Sequence, residues 1–490
     1  MNAGPLAGYP SHPADEAVGA DGRLREGYAV LAPGLDRLGA DGLPAAAAVL
    51  TAEHRARGVV VGTWSDGRQE MRPVSVDPVP RVLTAPVWAR LAAGVEQRHR
   101  ALNAFLADAY RAAGRRRGDP DRSSEIVQAG RLPEWAVAHS PGRDPHAVAL
   151  AWPGQSRATV AGTDVVRTAD GEWLVVADNL RVPSGLGYAL AIRDSCRAAL
   201  PDLFAGAAPV EPAAAVPLLR EALQSAAPPA ADGPARLAVL SAGEGEDDRF
   251  EQRLLAEALG VPLVRPADVW PRMDGGVEVA VDGVRQPVDV FYRRVDEAAI
   301  GAYRTPIGQP LDAVLTDAVR AGRLGLANVP GNGVADDAST FAWVPEMIRF
   351  YLGEEPLLPA VHTWVLADPE QWAEVRDRLH ELVLIPVAGY GGGTAVSGPS
   401  CSAAELAELQ AEVAAAPHRF VAQQPVQSST VPTLIGGALA PRHVDLRVFS
   451  VAGHATRALP APLTRVALAE GATATGAGAG GGSKDTWLLR

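Results

Sequence analysis

Lysine is nearly absent from this sequence of 490 residues. Its 45 basic side chains comprise a single lysine, Lys484, and therefore 44 arginines. Lys484 stands in the stretch GGGSKDTW close to the C-terminus, and two interpretations of it are open. It is a compositional remnant in a fraying tail, or it is a compact ammonium group that arginine cannot replace, in a glycine-rich loop of the kind that surrounds phosphate.

Cysteine is also scarce, and long apolar runs are lacking. Cys196 and Cys401 form neither a metal-binding spacing nor a disulfide framework, which predicts a reduced, cytoplasmic protein. No apolar run approaches the roughly 18 residues of a membrane helix, and the N-terminus lacks the basic and apolar segments of a secretory signal. The net charge of −12 argues against nucleic acid or an anionic membrane as a partner. The 47% apolar content predicts a globular protein with two to four domains.

The first half of the chain predicts a helical region followed by strands. Residues 1–22 are rich in proline, glycine and aspartate and are predicted to be disordered. Short helices are expected over Leu24–Arg57, then a strand (GVVVGTW) closed by an Asp66–Gly67 turn. Pro86–Ala113 has apolar residues at helical spacing and is the longest predicted helix. Two strands flank the Asp170–Gly171 turn, and the second ends at Asp178 and Asn179, which either line a site or merely begin a turn.

The second half predicts parallel α/β structure and then charged strands. The stretch ARLAVLSAGEGEDDRFEQRLLAEALGVPLV has the order strand, helix, strand of a βαβ unit. The stretch ELVLIPVAGYGGGTAVSG indicates two strands around a glycine loop. Two later strands, APRHVDLRVFSVAG and HATRALPAPLTRVAL, carry Arg442, Asp445, Arg447 and Arg465 at alternating positions, which places one set of charges on one face.

The motifs DNLRVPSG, LANVPGNGVADD, IPVAGYGGG, LAPRHVDLRVF, LTRVAL and GGGSKDTW, in this order, resemble the circularly permuted ATP-grasp family. The likeness extends over roughly residues 15–489. It implies an α/β (α+β) permuted ATP-grasp fold with a preceding α/β region. The expected division is a disordered segment at 1–22, a helical region with the strands that carry Asn179 at 23–205, a pre-ATP-grasp-like domain at 206–330, and nucleotide-binding lobes at 331–490.

The resemblance implies chemistry that uses ATP and Mg²⁺. In the family a carboxylate attacks the γ-phosphate to give an acyl-phosphate, which an amine or thiol then captures. The implied partners are therefore a small carboxylate and an amine or thiol acceptor, with no role for nucleic acid or membrane. Catalysis of this type depends on positioning and on neutralising phosphate charge.

Residues are assigned to this site by their positions in the motifs. Asp445 and Asn179 match metal-binding positions, and Arg447, Arg465 and Lys484 match positions at the phosphate or substrate end. The residues that match positions around the nucleotide are Gly389, Gly391, Gly392, Gly393, Ala422, Gln423, Gln424 and Arg442.

Three departures from the family pattern remove charge from the site. Ile385 stands where the family has the lysine of Lys-Pro-Val. Ala338 follows Asp336 and Asp337 where the family has Asp-Asp-Lys, and Ala177 replaces the glutamate of Glu-Asp-Asn. Two hypotheses follow. The chain is an ATP-dependent carboxylate–amine (or thiol) ligase with a degenerate site, or it is a catalytically silent ATP-grasp protein that serves as a binding or regulatory subunit for a partner protein.

Overall fold

The computed structural model describes residues 6, 8–10, 12–65, 68–113, 123–152, 154–243, 248–387 and 395–490. The predicted Asp66–Gly67 turn lies outside these residues. So do the four glycines assigned to the phosphate loop, Gly389, Gly391, Gly392 and Gly393.

The described residues form fourteen α-helices. They are α1 Ala32–Arg57, α2 Ala85–Ala113, α3 Glu125–Gln128, α4 Glu134–Ala138, α5 Leu186–Ala199, α6 Pro201–Phe204, α7 Ala215–Ser225, α8 Arg249–Leu259, α9 Leu311–Arg320, α10 Gly333–Asp336, α11 Ala338–Phe341, α12 Val344–Met347, α13 Pro369–Val375 and α14 Ala403–Ala415.

The described residues also form 21 β-strands. They are β1 Val60–Ser65, β2 Arg68–Pro73, β3 Val76–Leu83, β4 Val160–Arg167, β5 Trp173–Asn179, β6 Leu237–Leu240, β7 Leu263–Val264, β8 Val269–Pro271, β9 Val277–Val281, β10 Val284–Val288, β11 Val290–Arg293, β12 Gly325–Ala327, β13 Thr363–Val365, β14 Val383–Pro386, β15 Val396–Ser397, β16 Phe420–Gln423, β17 Thr430–Ile435, β18 Ala438–Ala452, β19 Thr456–Ala458, β20 Leu463–Val466 and β21 Gly482–Leu488.

Periodic apolar residues explain the elements that the sequence predicts best. Helix α2 buries Leu91, Val95, Leu102 and Leu106, which recur on one face at helical spacing. It covers the predicted range with one further residue at its start. None of the described helices combines the length and the apolar character needed to cross a bilayer.

The other elements pack around three main sheets. The largest has the order β3-β21-β20-β18-β4-β5, with β17 and β19 also paired to β18. A four-stranded sheet, β12-β11-β6-β7, is parallel and contains the predicted βαβ unit of β6, α8 and β7. A second four-stranded sheet, β13-β16-β14-β15, is antiparallel and packs one face against α13 and α14. This mixture of helices and sheets confirms the predicted fold class.

Part of the N-terminal segment that was predicted to be disordered packs into the fold. Asp15 and Glu16 are buried, and an Asp15 oxygen accepts hydrogen bonds from the backbone N–H groups of residues 17 and 18. Glu16 forms an ion pair with the fully buried Arg81 on β3, at 2.6 Å between Oε1 and Nη2. The prediction of disorder rested on composition, and composition does not show that these two carboxylates have partners elsewhere in the fold.

Strand β21 lies inside the large sheet rather than in a fraying tail. It pairs with β20 on one side and, in parallel, with β3 on the other. Lys484 is therefore buried, and its ammonium group donates to the Asp77 carboxylate and to the carbonyl oxygens of Val79 (3.0 Å) and Pro432 (2.9 Å). All three of its donors have acceptors within the protein, so the remnant interpretation does not fit the fold.

We expect Lys484→Met to destabilise the protein strongly, because the variant leaves the Asp77 carboxylate buried without its cation. The expected loss in the free energy of unfolding is about 3–5 kcal/mol, measured by urea denaturation. The double variant Asp77→Asn/Lys484→Met removes both charges and should recover part of this loss.

An exposed ion pair provides the control for this experiment. Arg349→Ala removes contacts to Glu346 and Glu355 at the surface and should change the free energy of unfolding by no more than about 1 kcal/mol. If Lys484→Met were as mild as Arg349→Ala, the buried pair would not stabilise the sheet as described.

Candidate functional site

Four charged side chains lie together on one face of the large sheet. The strand register places Asp445 opposite Arg465 and Arg447 opposite Asp164. We call these four residues the charged quartet. Arg447 holds both oxygens of Asp164 (Nε–Oδ1 2.7 Å, Nη2–Oδ2 2.8 Å). Arg465 holds both oxygens of Asp445 at 2.8 Å and also reaches Asp164 at 2.9 Å.

The quartet is neutral overall, and each of its charges is matched. Its side chains are between 11% and 21% exposed, so the group borders solvent. Burial by itself would raise the pKa of Asp164, but Arg447 and Arg465 hold that pKa well below its usual range. The Thr475 hydroxyl also donates to Asp445. Each carboxylate of the group therefore has its counter-charge within the protein.

The quartet is linked to the loop that follows β5. Arg447 donates from Nη1 to the Ser184 carbonyl oxygen at 3.1 Å. In the same loop, Arg181 pairs through Nε with Asp336 at 2.6 Å. The DNLRVPSG motif thus lies between the quartet and helix α10, which ends at Asp336.

The structure brings Asp164, rather than Asp445, close to the predicted metal-binding segment. Asp164 lies opposite Ala177 in the β4–β5 hairpin, and Asn179 lies two residues further along β5, opposite Gly162. Asp445 is two strands and four residues away from Asn179 in the ladder, roughly 16 Å between Cα atoms. The two residues assigned to the metal therefore do not share one cation in this arrangement.

Asp164 is the residue that the sequence analysis missed, although a signal was available. Counting outward from the Asp170–Gly171 turn pairs residue 164 with residue 177. The structure has the same pair, although the hairpin begins with Arg167 opposite Trp173 and reaches it only through a register shift between residues 164 and 165. A carboxylate opposite the expected glutamate position is a candidate ligand.

The donor set does not fit a magnesium site. Mg²⁺ requires oxygen ligands in near-octahedral geometry, commonly with one or two carboxylates. Here Ala177 supplies no ligand, and both nearby carboxylates are engaged by guanidinium groups: Asp164 by Arg447 and Arg465, and Asp178 by Arg98. No group of three or more acidic, histidine or cysteine side chains suitable for a metal occurs among the described residues.

The two positions at which the family resemblance implies lysine pack against one apolar cluster. Ile385 on β14 lies opposite Val421 on β16. On this face Val365, Val387 and Val421 are buried, with Ile385, Ala338, Ala342, Ala367 and Trp135 packed against them. We call this group the apolar cluster. Residues 338 and 385, distant in the chain, are thus close in space, and both are apolar.

The remaining assigned residues lie in several environments. Ala422 lies on the face of the sheet β13-β16-β14-β15 that packs against α13 and α14, and Gln423 is buried between β13 and β14. Gln424 bonds through its N–H to the His362 carbonyl oxygen at 3.1 Å, beside a recess of about 450 Å³. The nucleotide-binding role of these residues stays a prediction.

Arg442 and Lys484 do not share the face of the quartet. Arg442 is three residues from Asp445 along β18, an odd spacing that turns it to the other side, and it donates to the carbonyl oxygens of Leu468 and Pro441. Lys484 lies opposite Thr464, next to Arg465, and so also faces away. A phosphate contact by either residue stays a prediction, and it requires partners other than those observed here.

Comparison with known proteins identifies related sequences. The family model described as circularly permuted ATP-grasp type 2 matches residues 80–467. A Frankia casuarinae protein, named provisionally as a glutamate–cysteine ligase, is 43% identical over 481 residues, which are 97% of this chain and 54% of that protein. An uncharacterized Mycobacterium tuberculosis protein is 41% identical over 431 residues, 87% of this chain and 75% of the relative. The chain spans about half the length of the first relative.

A solved structure agrees on the fold. A glutathione synthetase-like effector from Globodera pallida in its apo form matches with a TM-score of 0.55, over 91% of this chain and 97% of the other. Its sequence is 11% identical, so the likeness concerns the fold alone.

We expect Asp336 to make the protein less stable as the pH rises. Burial raises the pKa of Asp336 to about 6 from an ordinary 3.8, against the opposing attraction of Arg181. Between these values the folded state binds more protons than the unfolded state, so the free energy of unfolding falls as pH increases. Asp336→Asn should remove this pH-dependent fall in the free energy of unfolding, which is on the order of 1–3 kcal/mol.

Urea denaturation of both proteins at about pH 4 and about pH 6.5 measures the difference. Asp232→Asn, at an exposed carboxylate, is the control and should follow the unmodified protein. Parallel pH profiles for the unmodified protein and Asp336→Asn would contradict the raised pKa.

Proposed function

Because the chain belongs to the circularly permuted ATP-grasp family, we propose that it acts as a catalytically silent member, a binding or regulatory protein that does not activate a carboxylate with ATP. The observation that carries this proposal is the apolar cluster. Ile385 and Ala338 occupy the two positions where the family resemblance implies lysine, and they pack against the same buried valines. The two positions where the resemblance implies phosphate-binding ammonium groups thus carry hydrocarbon side chains.

The physical argument concerns charge. Phosphoryl transfer depends on fixed cations that neutralise the phosphate oxygens. An apolar cluster offers no such cation, and burying phosphate oxygens against it without hydrogen bonds is costly. Ala177 stands where the resemblance implies a metal-binding carboxylate. Without that ligand a Mg²⁺ ion, the second source of positive charge in the reaction, would bind less tightly.

The charged quartet has a role under this proposal that needs no nucleotide. Its ion pairs join β4, β18 and β20, and the Arg447–Ser184 contact holds the loop that follows β5. Retention of Asp445, Arg447 and Arg465 is then explained by the structure of the sheet. A protein partner remains the expected ligand of a silent subunit, and the cytoplasmic location stays a prediction.

Ligase activity is the second candidate function. Asp445, Arg447, Asn179 and Lys484 favour it, because each matches a position that the family resemblance assigns to metal, phosphate or substrate. The name of the Frankia relative also favours it, although this chain spans 54% of that protein. In this case a small carboxylate, an amine or thiol acceptor, ATP and Mg²⁺ would be required.

Calorimetric titration with Mg·ATP separates the two candidates. We expect no saturable binding to the unmodified protein, because neither position 338 nor position 385 presents a cation. The double variant Ala338→Lys/Ile385→Lys should gain measurable affinity, since it restores two ammonium groups on one face. Ala338→Met/Ile385→Met, with similar length and no charge, is the matched control and should gain none.

Two results would contradict the silent proposal. One is tight binding of Mg·ATP by the unmodified protein, and the other is ADP release that depends on an added carboxylate. A double lysine variant that folds, as judged by its unfolding transition, and still binds no nucleotide would show that these positions do not face ATP.

Restoring the missing carboxylate tests the metal argument separately. We expect Ala177→Glu to bind Mn²⁺, a probe for Mg²⁺, roughly tenfold or more tightly than the unmodified protein, because it adds an oxygen ligand beside Asp164. Calorimetry measures the change. Ala177→Gln supplies a neutral oxygen and should gain less. Equal affinity in all three proteins would show that position 177 does not face a cation.

A further inference from the structure

A recess of about 290 Å³ lies at the amino-terminal edge of the parallel sheet β12-β11-β6-β7. Arg236 and Asp289 line it, directly before the first residues of β6 and β11. The turn between β8 and β9 contributes Arg272 and Asp274, and Arg323 stands two residues before β12. Three arginines from separate segments of the chain therefore meet around one small space, which we call the arginine recess.

The arginine recess is remote from the site described above. Asp289 precedes β11 at the recess, and Arg294 follows β11 at its other end, where it donates to the Pro183 carbonyl oxygen of the DNLRVPSG motif at 2.6 Å. Five residues of extended chain separate the two ends by roughly 16 Å. The lining residues include no member of the charged quartet, of the apolar cluster or of the set assigned to the nucleotide. Ligands of open parallel sheets bind at the carboxyl ends of the strands, so the recess lies at the opposite edge.

Two carboxylates of the recess already have donors within the protein. Asp289 is 6% exposed and accepts from the Arg236 backbone N–H (2.8 Å), Nε (2.7 Å) and Nη2 (2.5 Å). Asp274 accepts from Nε (3.1 Å) and Nη2 (3.0 Å) of Arg272 and from the Gly276 N–H (3.0 Å). Both oxygens of each carboxylate are thus hydrogen-bonded.

Guanidinium donors, in contrast, are in excess. A guanidinium group has five N–H donors, and the bonds to Asp289 leave Nη1 of Arg236 without an acceptor among the described residues. Arg323 is exposed, and its guanidinium forms no hydrogen bond or ion pair within the described part of the chain. Its charge nevertheless acts on the neighbouring turn, since the Gly276 N–H, Arg272 and Arg323 hold the pKa of Asp274 below its usual range.

We propose that the arginine recess binds a small oxyanion of the phosphate class, either a free phosphate ion or the phosphate group of a small molecule. Its oxygens accept from Arg323 and from Nη1 of Arg236, which no carboxylate of the described chain engages. Guanidinium groups suit phosphate because their planar forks match its oxygens. The volume is at the lower limit of small-molecule pockets, which favours a small anion over a nucleotide. The inference is independent of the proposed lack of catalysis, because it concerns a different part of the fold.

Calorimetric titration of the full chain with inorganic phosphate at constant ionic strength tests the proposal. We expect saturable binding, and Arg323→Gln should weaken it roughly tenfold or more, the usual scale for a lost hydrogen bond to a charged group. Arg320→Gln is the matched control, because Arg320 is exposed at the end of α9, does not line the recess and gives the same change in net charge. It should leave the affinity unchanged. Asp232→Asn should tighten binding, since Asp232 is an exposed carboxylate of the lining and repels an anion.

Two further measurements identify the ligand and test the space itself. Glycerol 3-phosphate should bind at least as tightly as inorganic phosphate if the natural ligand is a phosphorylated small molecule, and more weakly if it is the free ion. Ala230→Trp, an exposed change in the lining, fills the recess and should abolish binding of both probes. The proposal is overturned if neither probe binds, if Arg323→Gln binds phosphate as tightly as the unmodified protein, or if Arg320→Gln weakens binding equally. Binding that persists in a folded Ala230→Trp variant would also overturn it.

Discussion

The interior position of strand β21 is the constraint on which the large sheet depends. In the strand order, β3 is joined to β20 only through β21. Lys484 and Asp485 are adjacent in β21, have opposite charges and lie on opposite faces of the sheet. Lys484 contacts Asp77 of β3 on one side, and Asp485 pairs with Arg193 of α5 on the other, at 2.8 Å between Oδ2 and Nε. One strand thus fixes both a neighbouring strand and the helix packed above it.

The sequence predicted those parts of the fold that local patterns specify. Helix α2, the β4–β5 hairpin and the βαβ unit depend on periodicity and turn residues within a few dozen positions, and each was found where it was expected. Lys484 was singled out correctly as unusual, but its environment depends on Asp77 and Pro432, which the pattern around GGGSKDTW does not reveal. Asp15 and Glu16 were assigned to disorder for the same reason, since their partners lie far along the chain.

The candidate site shows the same division between local and distant information. The alternation of charge on β18 and β20 predicted correctly that Asp445, Arg447 and Arg465 lie together. The odd spacing of Arg442 was overlooked, and Asp164 was missed because the register of β4 was not counted. The structure adds one relation that no local pattern contains. Ala338 and Ile385, two separate departures from the family pattern, pack against one apolar cluster.

The place of β21 along the chain has a consequence for protein synthesis. Asp77 and Lys484 are 407 residues apart, and a ribosome that adds roughly 5–20 residues per second needs roughly 20–80 s to bridge that distance. Throughout this interval β3 has emerged without the strand that pairs with it in the sheet. A nascent chain with an unpaired apolar strand is a substrate for chaperones and for aggregation. The risk of misfolding that this sheet creates is therefore greatest before β21 is translated.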